Sequence, residues 1–318
     1  IQRRLQAARG SHHQLPVLIR VVDIRSGSVG SYLSDVRAAN SLAQHFFIVI
    51  DGFDELPHRR GVEVLAETLS DCGVVITSRS TAAVRQFNGV ETIELPALSS
   101  EQRDALMSSV CGHAVTVDRY GWPAPLVESL RLPLFAILAG IWLRAGGSQR
   151  IASPWALMGE MIDQVLERTA GPDFGAVLRA LEDLATKVTD ADGPVDLRET
   201  LRPIDVRNDV LASRFVRVRG ALVDLALPAL TRWLAAQAIL DARITVGDLA
   251  QDSQRLERWD DALRIAVLEA PPESVERILA PLIRLDVGAA ARLCSIFDTR
   301  EAETTAGGEV TVQMPARL

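Results

Sequence analysis

The chain is almost without lysine. Of its 34 basic residues only Lys187 is a lysine, and the rest are arginine. The basic residues form no block and the formal net charge is -7. No nucleic-acid partner is therefore expected, because neutralising phosphates needs clustered Lys and Arg. Cysteine is equally scarce: Cys72, Cys111 and Cys294 are widely spaced, with no CxxC pair. Neither a zinc site nor a disulfide framework is suggested, and a reduced, cytoplasmic setting fits. Long apolar runs are missing too. The longest, 132–143, is closed by Arg131 and Arg144, short of the roughly 20 residues that span a bilayer, so no membrane partner is expected. The opening IQRRLQAARGSHHQLP has no initiator Met and no apolar signal core, and it reads as the interior of a longer polypeptide. His12, His13, His45, His58 and His113 show no ligand spacing, so solvated or structural roles are expected.

What is present is ordinary in bulk and informative in pattern. At 318 residues, 48% hydrophobic and 24% charged, the chain reads as a globular protein of roughly two domains. The first hundred residues alternate between strand and helix periods. LPVLIRVVDI (15–24), FFIVI (46–50) and GVVITS (73–78) are apolar, β-branched runs, as expected of strands buried on both faces of a parallel sheet. VETIEL (90–95), closed by Pro96, reads as a fourth strand, and GVEVLAETLSD (61–71) reads as a helix between strands. This order implies βαβ units.

Beyond Leu98 the period becomes helical. SSEQRDALMSSV opens with a serine cap and a glutamate in the first turn. Met158, Met161, Ile162, Val165 and Leu166 make one apolar helix face, and Val177, Leu181, Leu184 and Val188 make another. RFVRVRGALVDLAL (214–227) alternates around a glycine, as a hairpin does, and PALTRWLAAQAIL (228–240) starts with a helix-opening proline. Val275, Ile278, Leu279, Leu282 and Ile283 mark a late amphipathic helix, within what reads as the start of a helical stack. Trp142, Trp155, Trp233 and Trp259 sit in helical patterns and are expected in the core.

Two motifs carry chemistry. FFIVIDGFDELP places Asp51 directly after a buried strand, with Asp54 and Glu55 following. Ligands bind at the carboxyl ends of parallel strands. An aspartate there suits the Mg²⁺ of a bound nucleotide, and acids beyond it suit positioning or deprotonating a water. A solvated acidic turn is the plain alternative, against which the triple DGFDE weighs. GVVITSRS ends a neighbouring strand in Thr77, Ser78 and Arg79. An arginine there can pair bidentately with phosphate oxygens, and a surface arginine at a helix start is the alternative.

Together FFIVIDGFDEL and VVITSRS resemble the NACHT branch of the STAND ATPases. LPVLIRVVDI, IELPALSSEQ, LRLPLFAILAGIWLRAG and LALPALTRWLAAQAIL are similar to further segments of that family, so the likeness spans roughly residues 15 to 240. It implies an α/β fold: an incomplete parallel-sheet P-loop NTPase core over 1–98, a helical domain over 99–170 and a winged-helix-like domain over 171–242. A helical segment over 243–300 and a tail over 301–318 follow. It implies ATP/ADP and Mg²⁺ as ligands, with Asp51 holding the metal through water, Asp54 and Glu55 positioning the hydrolytic water, Arg79 sensing the γ-phosphate and Pro133 bordering the base. It also implies a homo-oligomeric signalling switch, of bacterial type and suited to antiphage defence.

Two departures qualify the resemblance. The phosphate loop GxxxxGK[ST] is missing: SGSVGS (26–31) has no lysine, and Lys187 has no glycine loop before it. The expected ATPase therefore needs phosphate-binding residues upstream of residue 1 in the same polypeptide, and these 318 residues alone are expected to turn over no ATP. The family's winged-helix histidine, which contacts ADP, corresponds here to Leu227. A non-catalytic scaffold or a helical adaptor retaining the NTPase fold is the competing reading.

Overall fold

The structure is a computed structural model and describes residues 14–20, 45–53, 73–78, 91, 93–147, 151–202 and 204–295. The chain divides into two compact units, Ile1–Pro96 and Ala97–Leu318. It combines a small parallel sheet with many helices, an α/β composition in the broad sense.

The first unit is organised by three parallel strands, β1 (Gln14–Arg20), β2 (His45–Asp51) and β3 (Gly73–Ile76), in that spatial order. In register, Val17 faces Ile48 and Ile19 faces Ile50 on one side of β2, while Ile48 faces Val74 and Ile50 faces Ile76 on the other. β2 is central, and its consecutive residues Ile48, Val49 and Ile50 are all buried. That is what a strand covered on both faces requires, and why its sequence is continuous rather than alternating.

β1 behaves differently from expectation. Val17 and Ile19 are buried but Leu18 between them is exposed, so one face only is covered. Pro16 lies in this strand and lacks the N–H that a second neighbour would need, which suits an edge position. Of the fourth strand expected over 90–95, the described residues, 91 and 93–95, form none. Glu91 and residues 93–96 are outside any ladder, with Ile93 69% and Leu95 86% exposed. High β-propensity does not make a strand without a partner to bond, and none pairs with this segment among the described residues. The helix expected over 61–71 and the strand residues expected over 21–24 lie outside the described residues.

The second unit is helical. Helix α1 (Ser100–Cys111) begins with a full capping box between Ser99 and Gln102 and ends on Gly112 in the left-handed region. After α2 (Ala124–Ser129), helix α3 (Pro133–Arg144) crosses α1 where Gly140 meets Val110 and Met107. Helix α4 (Pro154–Thr169) buries Met158, Met161, Ile162 and Leu166. Helix α5 (Phe174–Ala191) is the spine, burying Val177, Leu181, Leu184 and Val188. It is followed by β4 (Val195–Asp196), α6 (Leu197–Thr200), α7 (Ile204–Ala212), β5 (Val216–Arg219) and β6 (Leu222–Leu225). The three strands form an antiparallel sheet in the order β4-β6-β5, with β5 and β6 making the expected hairpin.

Helix α8 (Pro228–Leu240) packs along α5, and α11 (Asp260–Glu269) packs on α8. Between them lie α9 (Val246–Leu249) and α10 (Ser253–Arg258), and α12 (Pro272–Leu285) follows. Ile278 and Leu282 of α12 are buried, whereas Ile283, expected on the same face, is exposed. Of the tryptophans, Trp142, Trp233 and Trp259 are buried and Trp155 half-buried.

Two polar clasps tie the unit together. Asp190 accepts from Arg255 Nε and Nη2 at 2.7 and 2.8 Å and from Trp259 Nε1 at 2.8 Å. The Arg243 guanidinium donates to Glu182 and to Asp183 Oδ1, the latter at 3.1 Å. Among the described residues no helix is long and apolar enough to cross a membrane.

Candidate functional site at the strand ends

The site candidate is built where β2 and β3 stop side by side. Asp51 is the last residue of β2 and its side chain is exposed. Gly52 then turns the chain with φ 79°, a left-handed conformation that costs a residue with a Cβ about 1–2 kcal/mol. The turn drops Phe53 back into the core. A strand, an exposed acid, a reversing glycine and a buried anchor are thus consecutive, so the carboxylate is presented on a short, fixed platform.

Thr77 completes that platform. Its N–H donates to Ile50 O at 2.8 Å and its carbonyl accepts from Phe53 N–H at 2.9 Å. Its hydroxyl accepts from Gly52 N–H at 3.0 Å and donates to Asp51 Oδ1 at 2.5 Å. Oδ1 accepts the Thr77 hydroxyl proton, which fixes the direction in which the carboxyl group faces. Chemically this is a hard, oriented oxygen donor at the carboxyl end of a parallel sheet. It fits a hydrated Mg²⁺, which is held by one or two carboxylates and keeps several of its waters. Among the described residues no group of three or more His, Cys, Asp or Glu side chains gathers as a metal cage.

The other expected site residues are placed as follows. Asp54, Glu55 and Arg79 lie outside the described residues. Pro133 is the first residue of α3, exposed, and Leu132 before it makes no side-chain cap bond. Asp51 belongs to the first compact unit and Pro133 to the second. Leu227 is the exposed N-cap of α8, also without a side-chain cap bond. Lys187 is exposed on α5, inside a regular helix rather than a glycine loop.

Thr77 was legible only as a polar strand end. A hydroxyl residue directly after an apolar strand that neighbours an acid-terminated strand is the signal that would have singled it out. The carboxyl group most displaced from its ordinary value is elsewhere. Glu182 on α5 is raised to about 7, chiefly by burial, with Arg243 opposing. Its engagement with Arg243 makes this a structural ion pair, one of the settings besides active sites in which such shifts arise. His113, exposed, lies 3.3 Å from Cys111 Sγ. A scan against models of protein families finds no match to this chain, and a search of curated proteins finds none either.

Proposed function

We propose that this chain is the greater part of a NACHT-type nucleotide switch, carrying the metal-and-water half of an ATP site. The observation that supports it most is the pairing of Asp51 with Thr77 at the ends of adjacent parallel strands, where sheets of this kind hold ligands. Asp51 would hold Mg²⁺ through water, Asp54 and Glu55 would position the attacking water, and Arg79 would read the γ-phosphate. Pro133 would border the base. The missing half would come from the same polypeptide. Among the described residues β3 has no neighbour on its second side, and Ile93 and Leu95 are exposed. A strand leading into a phosphate loop would give both a partner.

In the second unit, the order α5, β4, α6, α7, β5, β6 with its β4-β6-β5 sheet is compatible with a winged helix. Nucleotide exchange would move this part against the ATPase core, a hinge transition that would drive homo-oligomeric signalling, with antiphage defence in bacteria as the setting.

Phosphate release measured on the full-length polypeptide tests the proposal. Asp54→Ala and Glu55→Ala should each lower turnover about 100-fold or more, the contribution of a positioned general base. Unchanged turnover overturns the assignment, while the 318 residues alone should release no phosphate above background. The absence of a phosphate-loop lysine favours one second reading, a scaffold that keeps the fold without turnover. A GxxxxGK[ST] motif shortly before Ile1 would decide against it.

A further inference from the structure

Thr77 makes more bonds than the strand ends need. Its backbone N–H and carbonyl already knit β3 to β2, at Ile50 and Phe53, and any residue could supply those. The hydroxyl does something separate. It takes the Gly52 N–H at 3.0 Å and gives its own proton to Asp51 Oδ1 at 2.5 Å. Both roles of the hydroxyl are therefore assigned, and its rotor is fixed by one backbone and one carboxylate partner. Asp51 is exposed, so without that bond its carboxylate would be free to turn. With it, Oδ1 is occupied and Oδ2 is left for a ligand.

We propose that Thr77 is the positioning residue of this site: its hydroxyl holds the Asp51 carboxylate in the orientation that takes a hydrated divalent cation. The proposal rests on reading Asp51 as a metal-holding acid. The physical logic is that of any oriented ligand. A carboxylate held by a hydrogen bond loses less rotational freedom on binding, and partners of this kind are typically worth 10–100-fold in metal affinity. Thr77 also precedes Arg79 by two positions in the sequence. The hydroxyl bond thus joins the metal-holding acid to the strand end that runs on to the expected phosphate sensor.

Mn²⁺ titrated into the 318-residue chain without nucleotide tests this, read by paramagnetic broadening of the Ile50 and Ile76 methyl signals. Thr77→Val, nearly the same shape without the hydroxyl, should move the titration midpoint up about 10–100-fold. Thr77→Ser, which keeps the hydroxyl, should return it close to the wild-type value, and Asp51→Asn should abolish the broadening. A wild-type midpoint for Thr77→Val, with Asp51→Asn still abolishing the effect, overturns the role of Thr77 and leaves the metal reading standing. A midpoint for Thr77→Ser as high as that for Thr77→Val also overturns it, because the loss would then not follow the hydroxyl. Wild-type broadening in Asp51→Asn overturns the metal reading itself. Amide exchange across Ile48, Val49 and Ile50 reports whether each variant folds. If Thr77→Val does not, Thr77→Ala removes the hydroxyl without a new branch and is judged by the same outcomes.

Discussion

Making Glu182 neutral should remove most of the alkaline loss of stability in the helical unit. The Glu182 carboxyl lies on α5, 5% exposed, against the Arg243 guanidinium. Burial is the main cause that lifts it from 4.5 to about 7. The charge of Arg243 works in the opposite direction, and Asp241 and Asp183 add to the rise. The unfolded chain has no such burial, so its carboxyl titrates near the ordinary value. The folded state therefore binds this proton more tightly than the unfolded state. Its stabilising effect is complete below about pH 4.5 and is lost as pH rises through about 7. At about 1.4 kcal/mol for each tenfold change in proton affinity, the gap corresponds to about 3 kcal/mol.

Urea unfolding at about pH 5 and about pH 8 measures the effect. Tryptophan fluorescence isolates the right unit, because Trp122, Trp142, Trp155, Trp233 and Trp259 are all the tryptophans of the chain and all lie beyond residue 96. Glu182→Gln is neutral at both pH values and should lose about 2–3 kcal/mol less stability between them than the wild type does. A smaller slope of the same sign should remain from Asp163, raised by burial and by Glu160 and Glu167. Equal losses in wild type and variant would refute the reasoning, since burial of this carboxyl would then carry no proton linkage.

Two further predictions concern packing in the same unit. Asp190→Ala leaves the Trp259 indole N–H, in a fully buried ring, without its acceptor and frees the Arg255 fork. It should lower stability by about 2–3 kcal/mol in the same urea assay, with Asp190→Asn losing less. Gly140→Val should cost about 3 kcal/mol and lower the thermal midpoint. Even a first added carbon would stand 2.9 Å from Val110 Cβ and 3.0 Å from the Met107 carbonyl oxygen, so α1 and α3 would have to separate.

Much of the architecture was readable because it is local. Ser99 with Gln102 caps α1, Pro133, Pro154 and Pro228 open helices, and the apolar faces of α4 and α5 repeat at the helical period. Such features depend on residues within a turn or two of one another, so they survive as patterns in one dimension. Burial on a sheet is not local in this sense. Leu18 and Val49 look alike in sequence, and one is exposed while the other is buried because β2 has strands on both sides. Ile93 and Leu95 have the composition of a strand and the exposure of a linker for the same reason, that a strand is defined by its neighbour.

The candidate site divides along the same line. Apolar residues running into an acid, with acids after it, mark the end of β2 from sequence alone, since strand burial dictates the run and the strand end admits the charge. Which group meets that acid is a matter of strand order: Thr77 is 26 positions away and reaches Asp51 only because β3 lies parallel beside β2. Glu182 and Arg243, 61 positions apart, are brought together only when α5 and α8 pack. Sequence determined the main helices, the central strand and the position of the acid, because those follow from local periodicity and polarity. Tertiary structure alone decided which side chains share a bond, because contacts between distant segments depend on packing geometry that no local pattern encodes.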